Sequence, residues 1–188
     1  MKLNKNQIMI IVFSLAVILI SAFVFYHSFK DNQSSHVSSG MISDIIVPNE
    51  TMNESVSDVI VDIGKQMPDI QAGAEWVSPK DIVEAIIRKI AHIIEYAALG
   101  FAVMGLVLAV RAEYGRLFLG WAFFYVLAVA VTDEYIQSFS DRSSSIGDVL
   151  LDFSGALIGF AAVLLVYYVI VWIKRRRSGK RKAVEPNS

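Results

Sequence analysis

Residues 89–110 read KIAHIIEYAALGFAVMGLVLAV. From Ile90 to Val110 the run is apolar except that it holds His92, Glu95, Gly100 and Gly105. A helix needs roughly 20 apolar residues to cross a hydrocarbon core of about 30 Å, so this stretch is long enough to span one. An ionisable side chain inside a membrane costs at least ~2.5–3.5 kcal/mol, so His92 and Glu95 must be there for a reason. The stretch therefore predicts both a membrane helix and a place to look for chemistry.

Three further runs extend the pattern. Ile8 to Tyr26 is interrupted only by Ser14 and Ser21, Leu117 to Ile136 is apolar until Thr132-Asp133-Glu134, and Val149 to Ile173 carries Asp152 as its one charge. The first run is longer than the ~7–15 apolar residues of a secretory leader and lacks a small-x-small cleavage site, so it is read as an uncleaved span. The fold class expected is all-α: a polytopic membrane protein, a four-transmembrane-helix bundle with an outer amphipathic segment.

Composition agrees. Of 188 residues, 55% are hydrophobic and 19% charged, against about 45–50% and 25% in a soluble domain. Mean hydropathy is +0.52. The absence of cysteine removes disulfides, thiol catalysis and Cys-ligated metals. A net charge of −1 lacks the basic surplus of a nucleic-acid binder.

Charge placement predicts orientation. Lys2 and Lys5, Arg111 and Arg116, and the seven bases between Lys174 and Lys182 mark three cytoplasmic segments. Both termini then lie on the cytoplasmic side of the membrane. The outer segment, residues 30–87, has ten acids against Lys30, Lys65 and Lys80. Its Asn-x-Ser/Thr triplets at Asn32, Asn49 and Asn53 are read as chance matches in a polar loop. Val56, Ile60, Ile63 and Met67 recur at helical spacing and predict a short amphipathic helix there. Ser78-Pro79-Lys80-Asp81 has the form of a helix start, from which the helix could run unbroken to Val110. The expected organisation is an N-terminal span (1–29), an acidic outer loop (30–78), a three-helix core (79–173) and a basic tail (174–188).

The costly residues gather at one height. Lys89, His92, Glu95 and Tyr96 sit at the outer end of the second span, and Asp133, Glu134 and Gln137 near the outer end of the third. Asp148, Asp152, Gly155 and Gly159 form one stripe on the fourth. Arg142 lies in the connection between the third and fourth. Five acids (Glu95, Asp133, Glu134, Asp148, Asp152) face three bases (Arg88, Lys89, Arg142). Structural pairing would balance more closely, so the deficit of two points to a protonated carboxylate, a charged His92, a bound cation or a cationic ligand group. Gly155 to Gly159 is a GxxxG, which with Gly100 is read as a helix-packing device within the chain.

The ordered set Lys89-x-x-His92-x-x-Glu95-Tyr96-x-x-x-Gly100, Asp133-Glu134-x-x-Gln137-x-Phe139, Arg142, Asp148, Asp152, Gly155, Gly159 resembles the VanZ-like family of small bacterial membrane proteins. The resemblance covers about residues 85–165. It departs at Ser140-Asp141, where family members often have Pro-Gly. It implies a link to resistance against the glycopeptide antibiotic teicoplanin, and supplies no mechanism.

The expected function is binding. An outer-leaflet cleft lined by Lys89, His92, Glu95, Tyr96, Asp133, Glu134, Gln137, Arg142, Asp148 and Asp152 would hold a polar head group. A membrane lipid, a lipid-linked wall precursor or a lipoglycopeptide would suit, with Arg142 and Lys89 on phosphate or carboxylate. No cofactor, resident metal or nucleic-acid partner is assigned. The alternative is an intramembrane metal-dependent hydrolase or transferase acting on an envelope lipid, with His92 as base and Glu95, Asp133 and Glu134 holding a divalent metal. A proton-coupled transporter fits less well, because the acids stop at one interface.

Overall fold

The computed structural model describes residues 3–29, 58–62, 79–139 and 145–184, the side chains of 79–81 and 177–184 excepted. Four long helices carry the fold: α1 (Lys5–Ser28), α2 (Pro79–Tyr114), α3 (Leu119–Gln137) and α4 (Ile146–Val184). Each contains a stretch long and apolar enough to cross a membrane, and no strand occurs among the described residues. The architecture is the all-α polytopic bundle.

Local sequence explains the helix ends. Asn4 caps α1, accepting from Gln7 N at 2.8 Å, while the Gln7 side chain accepts from Asn4 N at 3.1 Å. This reciprocal pair satisfies donors that a first turn leaves open. The turn after α2 uses Gly115 at φ +69°, where a Cβ would be strained. Ser145 caps α4 by accepting from Gly147 N at 3.0 Å. The Ser78 cap expected for α2 lies outside the described residues, as do Val56, Ile63 and Met67 of the expected outer helix. Residues 58–62 are helical. Two helices run further than their apolar stretches: α2 reaches Tyr114, and α4 passes through Lys174–Arg177 to Val184. The basic tail therefore begins as a continuation of α4.

Helix α2 is the central element, packing most extensively on α4 and next on α1. Glycines set how closely it is approached. A Cβ on Gly100 would strike the Ala156 backbone, one on Gly159 the Ala97 backbone, and one on Gly155 would lie 2.7 Å from the Ile93 carbonyl oxygen. Such close approach is the use of small residues in membrane helix pairs, where packing replaces the hydrophobic effect as the driving force. On α1 the buried residues Val17, Ser21, Val24 and Ser28 form one stripe, and the Phe13 ring fills the notch over Gly105 of α2. Tyr96, Leu99, Met104, Val126, Ala130, Ala156 and Phe160 make the interior. Exposed residues such as Leu19, Trp121, Phe124, Leu165 and Tyr168 form an apolar outer surface, which lipid tails would solvate.

Polar contacts tie the ends of the bundle together. The Asn4 and Gln7 side chains donate to Glu113 at 2.9 and 3.2 Å, so the start of α1 sits beside the end of α2. Lys5, Arg111 and Arg116 are thereby gathered at one end. The end of α1, the early turns of α2, the end of α3 and the start of α4 meet at the other.

Candidate functional site

Asp133 is the centre of that second end. It is fully buried, and three helices donate to it: Ser28 Oγ of α1 to Oδ1, Tyr96 OH of α2 to Oδ2 at 3.0 Å, and Gln137 Nε2 one turn along α3 to Oδ2 at 3.3 Å. His92 stands above Tyr96 on the same face of α2. Its Nδ1 lies 4.0 Å from Asp133 Oδ2 and 3.5 Å from Asp152 Oδ1 on α4. Asp152 is 1% exposed, yet no donor reaches either of its carboxylate oxygens in hydrogen-bond geometry among the described residues. Leaving such a group unsatisfied costs at least ~1–3 kcal/mol, more when it is charged. His92, Asp133 and Asp152 each offer one atom to a common point, and the three atoms lie within 4.8 Å of one another.

The other expected residues are arranged around this triangle. Glu95 pairs with His27 of α1, Oε1 to Nδ1 at 3.4 Å, and the His27 ring lies 6.3 Å from that of His92. Lys89 Nζ donates to Asp148 Oδ1 at 2.6 Å, tying α2 to the first turn of α4. Glu134 Oε1 accepts from Ser145 N at 2.6 Å, so this carboxylate covers the positive end of α4, while its buried Oε2 has no hydrogen-bond partner among the described residues. Arg142 lies outside the described residues.

The acids thus separate into roles. Glu95, Asp133 and Glu134 do not converge on one point, because Glu95 turns to His27 and Glu134 to Ser145. The carboxylate that joins Asp133 at His92 is Asp152. Three contributors were missed by reading the sequence: Ser28 and His27, from a helix placed outside the site, and Ser145. A signal for Ser28 existed, since Ser14, Ser21 and Ser28 recur every seven residues along one face of α1.

Chemically, the arrangement is an anionic, mostly buried cluster in which one imidazole faces two carboxylates. It suits a cation or the positive and hydroxyl groups of a ligand better than a bare anion, because Lys89 is already engaged with Asp148. Comparison with known proteins extends the resemblance. The chain matches the VanZ/LLP1 family over residues 13–172 and belongs to that family. The match begins within α1, so it is wider than the 85–165 window carried by the motif residues and takes in His27 and Ser28. No curated protein and no solved structure matches.

Proposed function

We propose that this VanZ-family membrane protein binds the polar head group of an envelope lipid or lipid-linked wall precursor in the cleft around His92, Asp133 and Asp152. The observation that carries the reading is an apolar groove of about 480 Å³ between α1, α2 and α4. Ala16, Ile20, Ala97, Ala98, Ile158 and Ala162 line it. Ala98 is three residues from Glu95, or about 4.5 Å of helix rise, so the groove starts just below the polar cluster. A head group above and an acyl chain below would be held by the two chemistries they need.

The location of the bases supports an outer-leaflet site. Lys5, Arg111 and Arg116 lie at the end opposite the cluster, and the tail bases follow α4 to that same end. The positive-inside rule makes that end cytoplasmic, with both termini inside and the cleft outside. Arg142, in the α3–α4 connection, is the base proposed to meet a phosphate or carboxylate. Lys89 would do so by exchanging Asp148 for it.

Lipid-resolved mass spectrometry of protein extracted in native lipid tests the reading. A phospholipid or wall precursor enriched over bulk membrane is expected, with the enrichment lost in Ala98→Trp, which fills the groove, and in Arg142→Ala. Lipid content identical to bulk membrane, unchanged by either substitution, would remove the proposal. A lipoglycopeptide is a further occupant of the same kind, and teicoplanin susceptibility of cells with and without the protein reports on it. His92 beside two acids favours a second reading, an intramembrane hydrolase or transferase. Cleaved lipid in place of intact lipid would select it.

A further inference from the structure

We propose that His92, Asp133 and Asp152 form a binding site for a first-row divalent transition metal of the Zn²⁺ class. Three helices supply one ligand each: α2 the imidazole Nδ1, α3 and α4 a carboxylate oxygen. The separations from His92 Nδ1, 4.0 Å to Asp133 Oδ2 and 3.5 Å to Asp152 Oδ1, can be compared with a metal polyhedron. Bonds of about 2.0–2.1 Å in a tetrahedron put ligand atoms about 3.3–3.4 Å apart. Small side-chain movements close the difference.

The independent pointer is Asp152. Both its oxygens are buried and lack a hydrogen-bond donor among the described residues, while one of them faces His92. A proton on His92 brings a single positive charge and one N–H at Nδ1, which cannot satisfy two carboxylates in different directions. A divalent cation balances both acids and leaves the imidazole neutral, with its lone pair on the metal. The surroundings of Asp133 fit as well. Ser28, Tyr96 and Gln137 fix that carboxylate from outside, as the outer partners of a ligating acid do, and the 3.3 Å Gln137 contact is the one a cation would relax. The nitrogen donor selects against Ca²⁺ and Mg²⁺, which favour all-oxygen shells. Three protein ligands leave a fourth position open to an oxygen of another molecule.

The site does not depend on the lipid reading, because the test needs no lipid. Full-length protein is purified in detergent, washed with a strong chelator, reloaded with ZnCl₂, desalted and analysed by elemental mass spectrometry. About one zinc per chain is expected, with affinity at least tenfold lower in Asp152→Asn and unchanged in Glu113→Gln, whose carboxylate meets Asn4 at the opposite end of the bundle. Since Asp152→Asn could disturb folding, the unaltered protein is also loaded with Co²⁺. A visible absorption band of low-symmetry Co²⁺, bleached by added Zn²⁺, is the result that supports the site. Less than one zinc per ten chains in monodisperse helical protein would overturn it. So would full retention of zinc by folded Asp152→Asn, a colourless Co²⁺ sample, or preferential uptake of Ca²⁺ or Mg²⁺.

Discussion

At the scale of single residues, Asp133 shows how a buried acid can organise several helices at once. Its neighbours Tyr96 and Gln137 donate to it, and Ser28 Oγ stands between it and the Val24 carbonyl oxygen. Interhelical hydrogen bonds in membrane proteins average about 0.6 kcal/mol and reach about 1.7. Ser28→Ala and Tyr96→Phe should therefore each lower stability by about 0.5–1.5 kcal/mol, read from reversible unfolding in mixed micelles. Asp133→Leu should cost more than either, because it takes the acceptor from Tyr96 and Gln137 at once. This acid also marks a limit of sequence reading. Asp133 and Glu134 are adjacent, so their side chains leave α3 about 100° apart, and both are buried, Asp133 against α1 and α2 and Glu134 against the start of α4. Spacing alone does not say which acid meets which helix, since that depends on how α3 is rotated against its neighbours. The Glu95–His27 pair was hidden for the same reason, and Asp148 was one of three acids open to Lys89: each pair joins residues brought together by packing. The height at which the charges gather was legible, because it follows from helix rise. The partners within that height were not.

At the scale of elements, the α2–α4 seam and the exposed face of α3 give opposite predictions for the same chemical change. Gly159 faces the Ala97 backbone, while nothing lies within 4 Å of a Cβ placed on Gly120. Gly159→Ala must push two backbones apart and should destabilise by about 2 kcal/mol or more, in the range of overpacking a core. Gly120→Ala meets no neighbour and gains helix propensity, so it should be neutral or stabilising by up to about 1 kcal/mol. Thermal unfolding of the two variants side by side checks both. The seam was within reach of the sequence because GxxxG names its own geometry. The α1 contribution was harder to foresee. Phe13 over Gly105 and Ser28 under Asp133 leave no motif, only a weak seven-residue recurrence of serine in an otherwise uniform apolar run.

For the whole molecule, the four spans were plain from runs of apolar residues, and charge placement made a definite statement about sidedness. The natural lack of cysteine makes that statement convenient to test, since each introduced thiol is the only one present. In intact cells, Arg116→Cys should resist a membrane-impermeant thiol reagent and react once the cells are broken open. Phe139→Cys, at a highly exposed position beyond the end of α3, should react in intact cells. The reverse pattern would invert the bundle and move the cleft to the cytoplasmic leaflet.

The four helices also stop at different heights above the level of Asp133. Helix α1 ends at Ser28, which touches that level; α3 continues to Gln137 and α4 begins at Ile146, about 6 and 9 Å further by helix rise. Helix α2 starts at Pro79, thirteen residues before His92, and so stands about 20 Å higher. Among the described residues the rim is therefore lopsided, a tall back wall with three low sills. The shallowest of these steps is at the tip of α1, where Ser28 and His27 stand as the doorposts.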